Sequence, residues 1–220
     1  MLLAAGAAIL LTAYLFRPER VDTGYQPVQP VAYSHKLHAG NLGIDCRYCH
    51  FTVERSAFAA IPPTETCMNC HTRVKADSPQ LQLVRESYAT GRPIPWVHIH
   101  KLPDYVYFNH QAHLNAGVSC LTCHGRVDRM AEVRQVKPLS MAWCLSCHRN
   151  PAPEIRPREL VTQLDWTPAG DPAALGRELV AKNRIHPPTN CSGATDERAA
   201  ERRVSRRRVG VGRRVPAHAA

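Results

Sequence analysis

A chain of 220 residues with 18 prolines and only 6% aromatic residues is one domain or two small ones, and it excludes an interior built from large side chains alone. The net charge of +10 is unevenly placed: from Ala194 to Ala220 eight arginines stand against three acids, half of the whole excess. That arginine-rich tail reads as a disordered appendage rather than a nucleic-acid surface, and no nucleic-acid partner is expected.

Met1 to Phe16 reads MLLAAGAAILLTAYLF, an uncharged apolar run followed by RPER. Its length falls just under the about 17–25 residues that cross a bilayer as a helix. No basic residue precedes it, and no A-x-A-like cleavage site lies in the RPERVDTGYQPVQP that follows. Residues 1–16 are therefore expected to be an uncleaved N-terminal transmembrane helix, with a signal sequence as the alternative. Either reading addresses the chain to a membrane and puts residues from position 30 onward on its far side. Residues 17–31, with three prolines, read as an extended linker.

Four constellations then follow: Cys46-Arg-Tyr-Cys49-His50, Cys67-Met-Asn-Cys70-His71, Cys120-Leu-Thr-Cys123-His124 and Cys144-Leu-Ser-Cys147-His148. Cys49 to Cys67 and Cys123 to Cys144 are at or near zinc-ribbon spacing. Zinc leaves the histidines unexplained, and so does a disulfide framework. With 12 histidines in the chain, one after every pair by chance has odds of about one in 100,000, whereas C-x-x-C-H is the c-type haem attachment signature. Two thiols three positions apart add to the two vinyl groups of one porphyrin edge, and the next residue carries an imidazole beneath the ring to the iron. Haem tethered in this way substitutes for a core of side chains. Four haem c groups are expected, on Cys46/Cys49, Cys67/Cys70, Cys120/Cys123 and Cys144/Cys147, with His50, His71, His124 and His148 as proximal iron ligands.

The sixth iron position needs further ligands. His35-Lys-Leu-His38 lies seven residues before Cys46, and His110-Gln-Ala-His113 lies six before Cys120. YSHKLHAGNLGIDCRYCH and YFNHQAHLNAGVSCLTCHG answer one another, an internal duplication. Histidines three apart on a helical turn share a face and can reach two different irons. In PWVHIHKLPDYVYF, strand-like alternation puts His98 and His100 on one side, and His100 is the preferred ligand of the two. His35, His38, His100, His110 and His113 are thus the distal candidates. Met68, Met130 and Met141 compete as axial ligands but are expected as packing residues. His186 is expected to be a loop histidine.

These segments place a first haem pair over residues 32–76 and a second over 96–152. Between them, 77–95 has helical apolar spacing through Leu81, Leu83, Val84 and Tyr88, ended by Gly91 and Pro93. A C-terminal segment, 153–193, begins a short helix at Asp171 and Pro172 and carries it to Lys182. The expected fold is a multihaem cytochrome c: mostly short helices and irregular loops wrapped around haems, with few strands.

Taken together, the paired H-x-x-H and C-x-x-C-H motifs resemble the class III multihaem cytochromes. PVAYSHKLHAGNLGIDCRYCH, IPPTETCMNCH, HKLPDYVYF, and MAWCLSCHRNP followed by LDW resemble the pentahaem cytochrome subunit of bacterial alternative complex III. That resemblance implies an electron-transfer subunit of a quinol-oxidising respiratory complex, with no catalytic site of its own. It implies a bacterial cytoplasmic membrane location with the haem domain facing the periplasm. Its implied partners are iron–sulfur and molybdopterin-oxidoreductase-like subunits, integral membrane subunits, and a monohaem cytochrome c or terminal oxidase as acceptor. The alternative is a membrane-anchored tetrahaem quinol dehydrogenase feeding a periplasmic reductase.

The resemblance also implies a fifth haem, where this chain shows only Cys191, a further attachment candidate with no following histidine. Family members would end there in Cys-Ser-Gly-Cys-His-Arg. Deleting one T from codons for Gly-Cys-His-Arg-stop gives Gly-Ala-Thr-Asp-Glu-Arg, the residues from Gly193 to Arg198. Residues 194–220 are therefore expected to be frameshifted translation after the remnant of a fifth site. Resequencing the 3′ end of the coding DNA should restore Cys-His in this frame; an unchanged reading, with the arginine tail present in the mass of the purified protein, contradicts it.

Overall fold

A computed structural model describes residues 2–17 and 22–190. Cys191, the fifth-site remnant and the 194–220 tail lie outside the described residues. The first element, α1, is a helix over Leu2–Leu15. At about 1.5 Å rise per residue it spans roughly 21 Å, short of the about 30 Å of bilayer hydrocarbon. Among the described residues no helix is long and apolar enough to cross a membrane. The expected transmembrane helix is corrected accordingly: the apolar run forms a helix, but of too few turns. From Ala4 to Phe16 every residue except Gly6 is exposed.

Beyond the linker, short helices carry the motifs. Helices α2 (Cys46–Cys49), α3 (Thr64–His71), α6 (Cys120–His124) and α7 (Met141–Arg149) each hold one cysteine pair. Three of the four begin at side chains suited to capping. Asp45 accepts from the Arg47 amide at 2.8 Å, Ser119 from Leu121 at 3.2 Å, and Ser140 from Trp143 at 3.4 Å. A C-x-x-C pair on one helical turn puts both sulfurs on one face.

Helix α5, His110–Ala116, carries the second H-x-x-H, capped by Asn109 and closed by Gly117 at φ +91°. The first H-x-x-H differs: His35 caps a π-helical turn over Lys36–Asn41. The connector helix α4 runs Gln82–Thr90 after a 3₁₀ turn at Pro79–Leu81, and stops at Gly91 with φ +70°. It seats Val84 in a small cluster with Val31 and Ile94, against which Cys67, Met68 and Trp96 pack. Its Tyr88 turns outward instead.

The 96–103 stretch forms no strand, and the alternation expected for His98 and His100 is absent: Pro95 and Pro103 bracket it, and the backbone bonds to side chains rather than to a neighbouring strand. The one β contact among the described residues is an isolated bridge between Val118 and Ile155.

Helix α8, Pro172–Asn183, begins as read from sequence, with Asp171 accepting from Ala173 and Ala174 at 2.9 and 3.1 Å. It lies against the turn at Ala152–Glu154. A Cβ at Gly176 would fall on the Ala152 carbonyl, so only glycine permits that approach. A second apolar cluster joins Val53, Leu114 and Val161, tying both halves to the C-terminal segment. Asp45 adds a polar tie, accepting from Thr162 at 3.0 Å. These clusters are small for a chain of this length, which leaves much of the interior to something other than side chains.

Gly176→Ala should destabilise the protein by about 1–3 kcal/mol through overpacking, although alanine is the better helix former. A thermal melt followed by circular dichroism checks this; an unchanged or raised midpoint contradicts the close contact.

Candidate metal centre

An imidazole that binds metal through one nitrogen is oriented by what its other nitrogen does. Six histidines here place Nδ1 against a backbone carbonyl. Among residues following cysteine pairs, His50 bonds Ala60 at 2.8 Å, His71 bonds Val74 at 2.9 Å and His148 bonds Pro188 at 2.7 Å. Among the H-x-x-H residues, His38 bonds Ser34 at 2.9 Å, His110 bonds Ala57 at 2.9 Å and His113 bonds Asn109 at 2.8 Å. A carbonyl only accepts, so each of these rings carries its proton on Nδ1 and leaves Nε2 free to ligate.

These rings also meet in pairs. Centroids of His38 and His71 lie 6.2 Å apart, those of His113 and His148 6.0 Å, and those of His110 and His124 6.5 Å. Two metal–nitrogen bonds of about 2.0 Å each put opposed imidazole nitrogens about 4 Å apart and ring centroids about 6.3 Å apart. All three separations suit an iron between the rings. His35 is pushed down to about 4 by burial first and then by His50, ahead of His38. Its Nδ1 is buried without a hydrogen-bond partner. His100 meets His124 more closely, with Nε2 3.1 Å from His124 Nδ1 and ring centroids 4.4 Å apart. His98 and His186 are exposed.

Burial depresses the imidazoles further. It lowers His110 and His113, pushes His100 down to about 4 and takes His124 to about 3. Each depression favours the neutral ring, the form that binds metal.

Two aromatic side chains organise the H-x-x-H turns, and motif reading passed over both. Tyr33 stacks on His38 at 4.5 Å and meets His35 edge-on at 4.8 Å. Phe108 does the same to His113 at 4.5 Å and His110 at 4.7 Å. Each lies two residues before the first histidine of its motif, an aromatic position that the two duplicated segments share. Burial, and then the neighbouring Cys49, raises the pKa of the Tyr33 hydroxyl.

The thiols of the four pairs form one series. Cys49 is an electrostatic neighbour of Cys67 and of Tyr33, Cys120 of Cys46, and Cys123 of Cys147 and Cys144. The Cys46 contact, then burial, raises Cys120, and burial pushes Cys123 up to about 12. None of the eight described cysteines is in a disulfide. Among the described residues no group of three or more His, Cys, Asp or Glu converges as a site for a bare metal ion. Beside α6 a groove of about 470 Å³ is lined by Arg126, Arg129, Arg134 and Lys137, a surface suited to carboxylates such as haem propionates. Met130 is buried and Met68 packs in the first apolar cluster. Cysteine pairs, anchored imidazoles and cationic groove together fit haem c.

Comparison with known proteins agrees. Residues 16–92, which include the first H-x-x-H and two C-x-x-C-H motifs, match the class III cytochrome c family. The chain is also 36% identical over 105 residues to a protein named menaquinone reductase, multiheme cytochrome c subunit, from Nitratidesulfovibrio vulgaris (strain Hildenborough), covering 47% of this chain and 49% of that one. The chain therefore spans about half the length of the relative it matches. Helices and loops without strands among the described residues, with this family match, make the architecture that of a multihaem cytochrome c.

Phe108→Ala should cost about 1–3 kcal/mol, since two ring contacts of about 0.5–1.5 kcal/mol each are lost. Chemical denaturation of the pigmented protein measures it, and a change below 0.5 kcal/mol, roughly the spread of neutral surface substitutions, contradicts the wedge.

Proposed function

We propose that the chain is the electron-relay subunit of a quinone-linked membrane respiratory complex, carrying four haem c groups ligated by histidine on both faces. The observation that carries this reading is the set of anchored imidazole pairs at 6.0–6.5 Å. The four cysteine pairs hold the groups covalently, and His50, His71, His124 and His148 ligate from one side. From the other side His35 faces His50, His38 faces His71, His110 faces His124 and His113 faces His148. The assignment obeys the internal duplication: in each half the first histidine of H-x-x-H serves the first attachment site and the second serves the second. The position opposite His35 is supported by its electrostatic neighbour His50 and by that symmetry.

Bound haem c supplies a one-electron couple, iron alternating between ferric and ferrous. The protein's part would be to hold each iron between a histidine that follows a cysteine pair and a histidine of H-x-x-H, which would keep substrates off the metal, and to hold the attachment edges close together. We order the sites second, first, third, fourth, a reading supported by the electrostatic neighbours Cys49 and Cys67, Cys46 and Cys120, and Cys123 and Cys147. The exposed apolar α1 and the name of the relative support a place against a membrane complex. In the alternative complex III manner, quinol would be the donor, iron–sulfur, molybdopterin-like and integral membrane subunits the neighbours, and a monohaem cytochrome or oxidase the acceptor, on the periplasmic side. The relative's name favours a second reading, with electrons passing toward menaquinone instead.

Rapid mixing of the purified native complex with a menaquinol analogue should reduce its haems within the turnover time. Reduction only by a cytochrome donor, followed by loss of quinone, supports the second direction; a haem signal indifferent to both sinks the quinone link. Cys46→Ala with Cys49→Ala should slow electron passage between the two halves more than Cys67→Ala with Cys70→Ala does. Equal slowing contradicts the order of sites.

A further inference from the structure

We propose that His100 is a positioning residue for His124, holding its Nδ1 in the way backbone carbonyls hold the other site imidazoles, and that His110 is the ligand opposite His124. This rests on the bis-histidine reading above.

Three of the four histidines that follow cysteine pairs give Nδ1 to a carbonyl, at Ala60, Val74 and Pro188. His124 has no carbonyl there; His100 Nε2 takes that place at 3.1 Å. That is a hydrogen-bond distance, shorter than the about 4 Å between nitrogens that share a metal. The rings stand at 82°, with centroids 4.4 Å apart, so an iron does not fit between them. His110 meets the geometric requirement instead, at 6.5 Å and 9° from parallel. With His124 Nδ1–H donating, His100 Nε2 accepts and the proton of His100 resides on Nδ1.

His100 is itself held in place. The neighbouring Lys101 amide donates to Gln135 Oε1 at 3.0 Å, and Gln135 is 1% exposed. The Gln135 backbone bonds Tyr25 at 3.0 Å and Gly24 at 2.7 Å. Lys101 Nζ sits over the Tyr25 ring at 4.5 Å. A histidine spent on a surface loop would need none of these ties. An imidazole acceptor is a stronger base than an amide carbonyl and draws the His124 proton further. The more basic His124 ring then favours ferric iron.

The test uses the full complex with its pigment, comparing His100→Ala, His100→Gln, His110→Ala and, as control, His113→Ala. Spin state is read by electron paramagnetic resonance and potentials by equilibrium redox titration. His110→Ala and His113→Ala should each open one axial position and give one high-spin signal. His100→Ala should leave every haem low-spin while shifting one haem's reduction equilibrium about tenfold toward ferrous, about 59 mV for a one-electron couple. His100→Gln, which keeps an acceptor, should restore part of the shift, and it carries the test if His100→Ala does not assemble. A high-spin signal from either His100 variant, or unchanged potentials in both, overturns the proposal. If His113→Ala opens no position, the bis-histidine reading fails, and the role of His100 falls with it.

Discussion

The hydrogen bond from imidazole Nδ1 to a fixed acceptor is the constraint on which the site depends. It selects the tautomer, leaves Nε2 available and fixes the ring plane. At His38 and His113 the acceptor is the carbonyl four residues back, Ser34 and Asn109, so the turn that carries the histidine also orients it. At His50, His110 and His148 the acceptor lies 10 to 53 residues away, and folding of the surrounding loops completes each site. Binding and folding are thereby coupled, as expected where apolar clusters are small and the cofactor supplies the interior.

Duplication explains much of the arrangement. Tyr33 and Phe108 stand at equivalent positions and make equivalent ring contacts with the two histidines that follow. The halves nonetheless differ where they adjoin. The first H-x-x-H lies on a π-helical turn and the second on an α-helix, and local departures from α geometry are frequent at functional sites. His35 retains a buried Nδ1 without a partner, while its counterpart His110 bonds Ala57 in the first half. That bond ties the two halves together.

Much of this was legible in the sequence, because attachment chemistry fixes residue type and spacing. The four C-x-x-C-H motifs, the paired H-x-x-H motifs, the Gly91 stop and the Asp171–Pro172 start depend on one or two turns of chain. The close approach of His100 to His124 was not legible: the loop is tied through Lys101 to Gln135, 34 residues further on, and spacing never tells which ring nitrogen is engaged. The outward turn of Tyr88 was hidden for the same reason, since a period marks a face but not its edge. In α1, composition gave the helix, but the number of turns needed to span a bilayer was not there.

The central claim is that this polypeptide holds iron between opposed imidazoles. Electron paramagnetic resonance of the oxidised, purified chain with its covalent pigment tests it most directly. Low-spin ferric signals alone, integrating to four irons, are the predicted result. A dominant high-spin signal, or a colourless protein without iron, would contradict the account.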